Sequence, residues 1–329
     1  MANFLVKKMK WKNLNILVTG ADGFIGSWIA KELIGQGADV FTIVRDIKKQ
    51  SNIDVLKLRN NINIIHGDLV DFDVCSRVMK EYEINACFHI AAQAIVGTAN
   101  ISPLSTFESN IKGTWNILEA ARLSKFIKGI VVASSDKAYG VQKKLPYTEE
   151  SPLLGLYPYD ASKACADILS RSYFRTYGLP IAVTRNANTY GGADLNFSRL
   201  VPDTIRSVIN DQQPVIRSDG TPKRDYMYIK DAVNAYLTLA YNLDRKNVQG
   251  EAFNFGTGKP VSVLELYNKI IKLMGKKINP KILGEAKNEI DMQYLAIDKS
   301  KKILKWQPKY SLEQGLKETI AWYEDFFRK

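Results

Sequence analysis

The feature that most constrains this chain is a glycine-spaced turn near its start. The apolar run Asn15–Thr19 (NILVT) leads into Gly20-Ala21-Asp22-Gly23-Phe24-Ile25-Gly26, and a helical pattern follows over 25–37. In a strand that turns into a helix through this spacing, each glycine has its own task. Gly20 permits the tight turn, Gly23 lets the backbone approach a pyrophosphate, and Gly26 lets helix and strand pack closely. The free N–H groups at the helix N-terminus then face an anion. Three glycines alone are weak evidence; the strand before and the helix after make the spacing specific. Asp22, Phe24 and Ile25 lie inside the turn and join the three glycines as expected dinucleotide contacts.

The rest of the first half alternates short Val/Ile-rich runs with helical patterns. Residues 40–44, 62–65, 86–90, 130–133 and 181–184 read as strands, and 105–123 and 159–177 as helices. Such alternation predicts βαβ units and an α/β fold, a Rossmann-type doubly wound parallel sheet covered on both faces. The pattern changes after about residue 186. Helices are expected at Leu200–Ile209, 232–241, 263–274 and Leu312–Phe327. Short strands are expected at Val215–Ile216, 226–229, Ala252–Phe255 and 280–283. The expected division is a dinucleotide-binding domain over 1–185 and a smaller C-terminal α/β substrate region over 186–329, with some segments returning to the large sheet.

Composition excludes several function classes. The net charge is +12, but the lysines are dispersed and no arginine-rich stretch interleaves with aromatics, so nucleic acid is not the expected partner. An anionic cofactor and substrate account for part of the bias. No apolar run reaches the ~20 residues of a membrane span. Lys7, Lys8, Lys10 and Lys12 make the N-terminus basic, but it has no apolar core or small-residue cleavage site, so a soluble, cytoplasmic protein is expected. Cys75, Cys87 and Cys165 are scattered, which suits reduced thiols. With only His66 and His89, no metal site is expected.

The tip of the second strand reports on the adenosine ribose. An acid there favours NAD, and an arginine can hold the 2′-phosphate of NADP. Here Arg45 is followed by Asp46, with Lys48 and Lys49 close behind. The cofactor is therefore NAD(P), with a slight lean to NADP from Arg45; an ordinary surface arginine is the competing reading. Asp68 and Leu69, after the third strand, either meet the adenine or form a turn.

Tyr159-Asp160-Ala161-Ser162-Lys163 opens a helix, with the tyrosine and lysine four apart on one face. A nearby ammonium favours phenolate and is expected to lower the pKa of Tyr159. A tyrosine tuned in this way can accept the proton of a hydroxyl. Y-x-x-x-K is common on ordinary helices and gains weight from the glycine loop upstream.

With these motifs the sequence resembles the extended short-chain dehydrogenase/reductase family over nearly its whole length. The matching segments are 19–26, His89-Ile90-Ala91-Ala92-Gln93, Asn110-Ile111-Lys112-Gly113-Thr114, 134–140, 159–163, 185–191, 224–229 and Trp306-Gln307-Pro308. Within the family it looks most like the nucleotide-sugar 4,6-dehydratases. Those enzymes place an acid after the Ser/Thr of the 134–140 segment, and Asp136 followed by Lys137 resembles the CDP-glucose pattern. The resemblance implies that Tyr159 deprotonates the carbon 4 hydroxyl as hydride leaves for the cofactor, that water is then lost across carbons 5 and 6, and that the hydride returns to carbon 6. Ser135 would bond the reacting oxygen, Asp136 would protonate the leaving hydroxyl, and Lys137 would assist at carbon 5. The competing reading of Asp136-Lys137 is a solvated charged pair after a strand.

By the same resemblance Ala91, Ala92, Gln93, Asn110, Tyr159 and Lys163 contact the cofactor. Gln93, Asn188, Arg199, Leu200, Arg217 and Arg224 contact the nucleotide-sugar. Segments 105–123 and 159–177 would pair two copies into a homodimer, unless their apolar faces belong to the monomer's own core. The alternatives are an epimerase or reductase of the same fold, a dehydratase acting on GDP-mannose or dTDP-glucose, and a dinucleotide-sensing protein without turnover.

Overall fold

The computed structural model describes residues 11–46, 50–285 and 290–328. Lys7, Lys8, Lys10, Lys48 and Lys49, named above for their charge, lie outside the described residues. Seven parallel strands form the main sheet: β1 (Asn15–Thr19), β2 (Asp39–Val44), β3 (Ile62–His66), β4 (Ala86–His89), β5 (Gly129–Ala133), β6 (Ile181–Asn186) and β10 (Ala252–Phe255). Their order is β10-β6-β5-β4-β1-β2-β3. The chain reverses direction across the sheet between β1 and β4, which opens a crevice at the carboxyl ends of those strands.

Successive side chains of a strand point to opposite faces, and the core divides accordingly. Ile16 and Val18 of β1, with Val131 and Ala133 of β5, join the larger apolar cluster. Leu17 of β1, with Ile130 and Val132 of β5, joins the cluster on the other face. The larger cluster also holds Leu316, Ile320 and Tyr323. These lie on the C-terminal helix Leu312–Phe327, which starts at a Ser311/Gln314 capping box.

The late segments build a cover over one end of the sheet. β9 (Lys223–Tyr228) pairs with β7 (Asn188–Tyr190), β11 (Pro260–Ser262) and β13 (Met292–Gln293), and β8 (Val215–Ile216) pairs with β12 (Lys281–Ile282). β10 returns to the main sheet beside β6.

Two elements depart from expectation. The strand expected at 226–229 spans Lys223–Tyr228, and Ile229 already begins the helix Ile229–Tyr241, with Asp231 in its first turn. The helix expected over 105–123 is broken into Pro103–Phe107, a π-turn at Glu108–Lys112, and Gly113–Arg122. A π-turn inserts an extra residue and re-aims side chains, often at functional sites; this one carries the buried Asn110.

Candidate active site

The glycine turn is built to admit phosphate. Gly20 has φ +74°, and a Cβ there would lie 2.9 Å from the backbone N of Ala91 on the β4 side of the crevice. A Cβ on Gly26 would collide with the Gly20 carbonyl, and one on Gly23 would press within 3.3 Å of that same oxygen. The helix Phe24–Gly35 follows with Gly23 as its N-cap and no side chain capping it. Its first N–H groups therefore point outward, where a bound anion can satisfy them. A cradle that side chains would fill, ending in an uncapped helix, fits a dinucleotide pyrophosphate.

Behind the cradle, Thr19 and His89 lock the two strand ends together. Thr19 Oγ1 accepts the backbone N–H groups of Ile90 and Ala91, each at 3.1 Å, and meets His89 Nδ1 at 2.9 Å. His89 Nε2 meets Thr114 Oγ1 at 3.0 Å, and that hydroxyl donates to the Asn110 carbonyl. With Thr19 donating to Nδ1, the proton sits on Nε2. Burial, reinforced by the Lys163 charge, pushes the His89 pKa down to about 3, so the ring is a neutral brace. Asn110 extends the brace. Its Oδ1 accepts Gln93 N at 2.7 Å, and its Nδ2 donates to Gln93 O and to Ser162 Oγ. These bonds fix the segment holding Ala91, Ala92 and Gln93 against the helix that carries Tyr159.

That helix, Pro158–Tyr177, presents Tyr159 and Lys163 toward the end of β5. Lys163 Nζ donates to the Ala133 carbonyl at 2.8 Å, and burial pushes its pKa down to about 8. The expected lowering of the tyrosine is not found. Burial pushes Tyr159 up to about 12, against smaller pulls from a hydrogen bond with Ser135 and the charge of Arg199. The Asp136 and Asp160 charges add to the rise, and the Lys163 ammonium is directed to a backbone carbonyl.

Ser135 caps the short turn Asp136–Tyr139. Its Oγ accepts Lys137 N at 3.2 Å and donates to Asp136 Oδ1 at 3.1 Å. Asp136 is 1% exposed, and its Oδ2 has no hydrogen-bond partner among the described residues. Burial raises its pKa; Lys137, Ser135 and Arg224 oppose the rise. Lys137 Nζ donates to Gln293 Oε1 at 2.6 Å, and Gln293 Nε2 donates to the Asp136 carbonyl at 2.8 Å. Asp136 is therefore buried, and Lys137 is half-buried and bonded across to β13. Gln293, fully buried on β13, is a site residue that sequence reasoning missed, because nothing local marks a short strand so far from the motif.

A cavity of about 930 Å³ opens beside this turn, a volume suited to a ligand of nucleotide-sugar size. Lys137, Asp160, Asn188, Arg199, Leu200, Arg217 and Arg224 all line it, so five of the six expected substrate contacts converge there. Arg199 is held by Asp194 at 2.7 Å. Arg224 is buried and donates to the Lys223 carbonyl at 2.9 Å. Gln93 is the exception: it does not line the cavity, and its Oε1 accepts Ile95 N at 2.8 Å. Asp160 was not singled out from the sequence, although an acid directly after the motif tyrosine was a readable signal.

At the other end of the crevice, Arg45 pairs with Asp46 at 2.8 Å and lies 3.9 Å from Asp68. Asp68 Oδ1 accepts Val70 N and Leu69 is buried, so this segment forms a turn. No group of three or more His, Cys, Asp and Glu able to hold a metal occurs among the described residues, and none of their helices is long and apolar enough to cross a membrane.

Residues 17–319 match the family model for GDP-mannose 4,6 dehydratase. A trifunctional UDP-glucose 4,6-dehydratase/3,5-epimerase/reductase of Arabidopsis thaliana is 31% identical over 96% of this chain, which spans only 48% of that protein's length. A UDP-glucuronate 4-epimerase of Thermodesulfobacterium geofontis is 32% identical, covering 94% of this chain and 96% of that one. A CDP-glucose 4,6-dehydratase of Salmonella typhimurium is 28% identical, over 98% and 94%. The crystal structure of a dTDP-glucose 4,6-dehydratase of Bacillus anthracis in complex with NAD superposes with a TM-score of 0.83 at 29% identity, over 95% and 97%. Dehydratases and epimerases are thus equally near. The chain belongs to the GDP-mannose 4,6 dehydratase family, within the extended short-chain dehydrogenases/reductases.

Proposed function

We propose that this protein is an NAD-dependent nucleotide-sugar 4,6-dehydratase with CDP-glucose as its preferred substrate. The observation that carries the reading is Asp136. It is a buried carboxyl with one unpartnered oxygen, and burial makes it hold its proton to higher pH than an ordinary aspartate. An epimerase has no water to expel and no use for such an acid. A dehydratase needs one to protonate the carbon 6 hydroxyl.

When bound, the oxidised nicotinamide supplies a hydride acceptor and a positive charge. Tyr159 takes the proton of the carbon 4 hydroxyl, and Ser135 orients that oxygen. Lys163, Asn110 and His89 hold the helix and the strand ends in place. Asn188 and Arg224 meet the diphosphate, where a planar guanidinium suits a bidentate contact; Arg199, Leu200 and Arg217 border the nucleoside side of the cavity. CDP-glucose is placed ahead of dTDP-glucose and GDP-mannose on the Asp136-Lys137 pair and on segment 199–203; Lys137 and the whole of that segment line the cavity.

The lean to NADP from Arg45 is withdrawn in favour of NAD. Asp46 and Asp68 beside the guanidinium would repel a 2′-phosphate more than one exposed arginine attracts it. A homodimer belongs to the same reading. Trp115, Leu123, Ile168 and Tyr177 leave large apolar surface exposed on the two helical segments expected to pair.

Incubation with a panel of nucleotide-hexoses, read by mass spectrometry, tests the proposal. Loss of water, fastest from CDP-glucose, is expected. Conversion to an isomer of unchanged mass would establish the epimerase instead.

A further inference from the structure

Three carboxylates line the cavity among the described residues: Asp194 and Asp203 are each held by an arginine, and Asp160 is not. It sits at the third position of helix Pro158–Tyr177, where an acid ordinarily serves the helix dipole from the solvent side. Here the side chain is 5% exposed, and what remains open faces the 930 Å³ cavity. It accepts no hydrogen bond and joins no ion pair among the described residues. Its placement is enforced. Gly155 crosses the first turn of the helix so closely that a Cβ there would lie 2.8 Å from the Asp160 Cβ. That loop is pinned in turn by Gly155 N donating to the Ala138 carbonyl at 3.0 Å. The charges facing Asp160 come from the Asp136–Tyr139 turn: the Lys137 ammonium favours its ionised form, and Asp136 disfavours it.

We infer that Asp160, and not Lys137, is the base that removes the proton from carbon 5 of the sugar. The inference rests on the dehydratase reading. Lys137 is half-buried, donates to Gln293 Oε1 at 2.6 Å and has a carboxyl neighbour on either side. Donating to an amide oxygen between two carboxyls, this lysine is suited to stabilising an enolate rather than to taking up a proton. Asp160 is the group on the same wall with a free lone pair. Burial pushes its pKa up to about 6, so it is mostly ionised at pH 7 yet more basic than an ordinary aspartate.

The protons balance. Asp160 takes the carbon 5 proton, leaving the C–H electron pair in the enolate of the carbon 4 ketone, and that pair then forms the second bond between carbons 5 and 6. The carbon 6 hydroxyl leaves as water with the Asp136 proton. Carbon 6 then receives the hydride withdrawn from carbon 4, and Asp160 returns its proton to carbon 5. The proton that Tyr159 took from the carbon 4 hydroxyl passes through Ser135, which bonds both Tyr159 and Asp136, and restores Asp136.

The test is solvent deuterium exchange at carbon 5, followed by NMR in D₂O with the NAD-loaded protein and the best substrate of the panel. Nicotinamide absorbance is read in parallel. Wild type should place deuterium at carbon 5 of the dehydrated product. Asp160→Asn should bind NAD as wild type does and reduce it on adding substrate, but with carbon 5 exchange at least 100-fold slower; Asp160→Glu should recover part of it. Asp136→Asn should still exchange carbon 5 without releasing water. Wild-type exchange in Asp160→Asn, with dehydration intact, would overturn the base role and leave the dehydratase reading standing. A wild type that releases no water from any nucleotide-hexose overturns both.

Discussion

Asp160 and Asp167 sit on one stripe of one helix, two turns apart, and both are buried. Seven residues bring a side chain back to nearly the same direction, so sequence spacing alone does not tell them apart. Their partners do. Asp167 takes a two-pronged contact from Arg185, Nε to Oδ2 at 2.8 Å and Nη2 to Oδ1 at 3.0 Å. Arg185 also donates to the Tyr139 hydroxyl and the Glu149 carbonyl, and Tyr139 donates to Asn254. Every oxygen there is answered, and the network braces the turn after β5 against β6 and β10. At the cavity end, Asp160 has no such partner, and Asp136 beside it keeps one oxygen bare. One region uses buried charge to hold the fold, and the other leaves carboxylate oxygens without hydrogen-bond partners beside the cavity.

The same substitution at the two positions should therefore act with opposite sign. Asp167→Asn strands a buried guanidinium and should destabilise the protein by about 3–5 kcal/mol in denaturant titrations. A loss under 1 kcal/mol would mean that the network holds little. Asp160→Asn should stabilise it at pH 7. The carboxyl is pushed up to about 6, so between pH 4 and 6 the folded state binds more protons than the unfolded one, and stability falls as pH rises through that window. After discounting for water in the open cavity, the gain should be about 1–2 kcal/mol at pH 7, shrinking toward zero at pH 4. A variant less stable than wild type at pH 7 would show that Asp160 has a structural partner.

The smallest effect is expected at an exposed pair. Arg45→Ala removes the contact with Asp46 and should change NAD affinity by less than about fivefold, measured by calorimetry. A much larger loss confined to NADP would restore the lean toward that cofactor.

The parts of this architecture legible in the sequence depend on local signals. Glycine spacing marked the cradle, Val/Ile alternation marked β1 to β6, and Tyr159 with Lys163 needs only helical periodicity. Even Asn188, Arg199 and Arg224, from separate elements, were assigned to one ligand and do share one cavity. What could not be read is what depends on three-dimensional neighbours. The rise of Tyr159 to about 12 comes first from burial and then from the Asp136 charge brought beside it. Neither has a sequence signature. Gln293 reaches Lys137 across 156 residues. The π-turn at Glu108–Lys112 leaves the helical pattern of 105–123 intact to the eye, because one inserted residue barely disturbs the apolar spacing. Asp160 was readable as the acid directly after the motif tyrosine, but its lack of a side-chain partner is visible only in the packing.

The central claim is that Asp136 expels water at carbon 6, and Asp136→Asn tests it most directly. The change keeps the shape and removes the proton, while Tyr159, Ser135 and Lys163 stay intact for oxidation at carbon 4. On mixing with CDP-glucose, nicotinamide absorbance should rise and persist, with dehydrated product formed about 100- to 10,000-fold more slowly than by wild type. Dehydration at a near wild-type rate, with no reduced cofactor accumulating, would contradict the account.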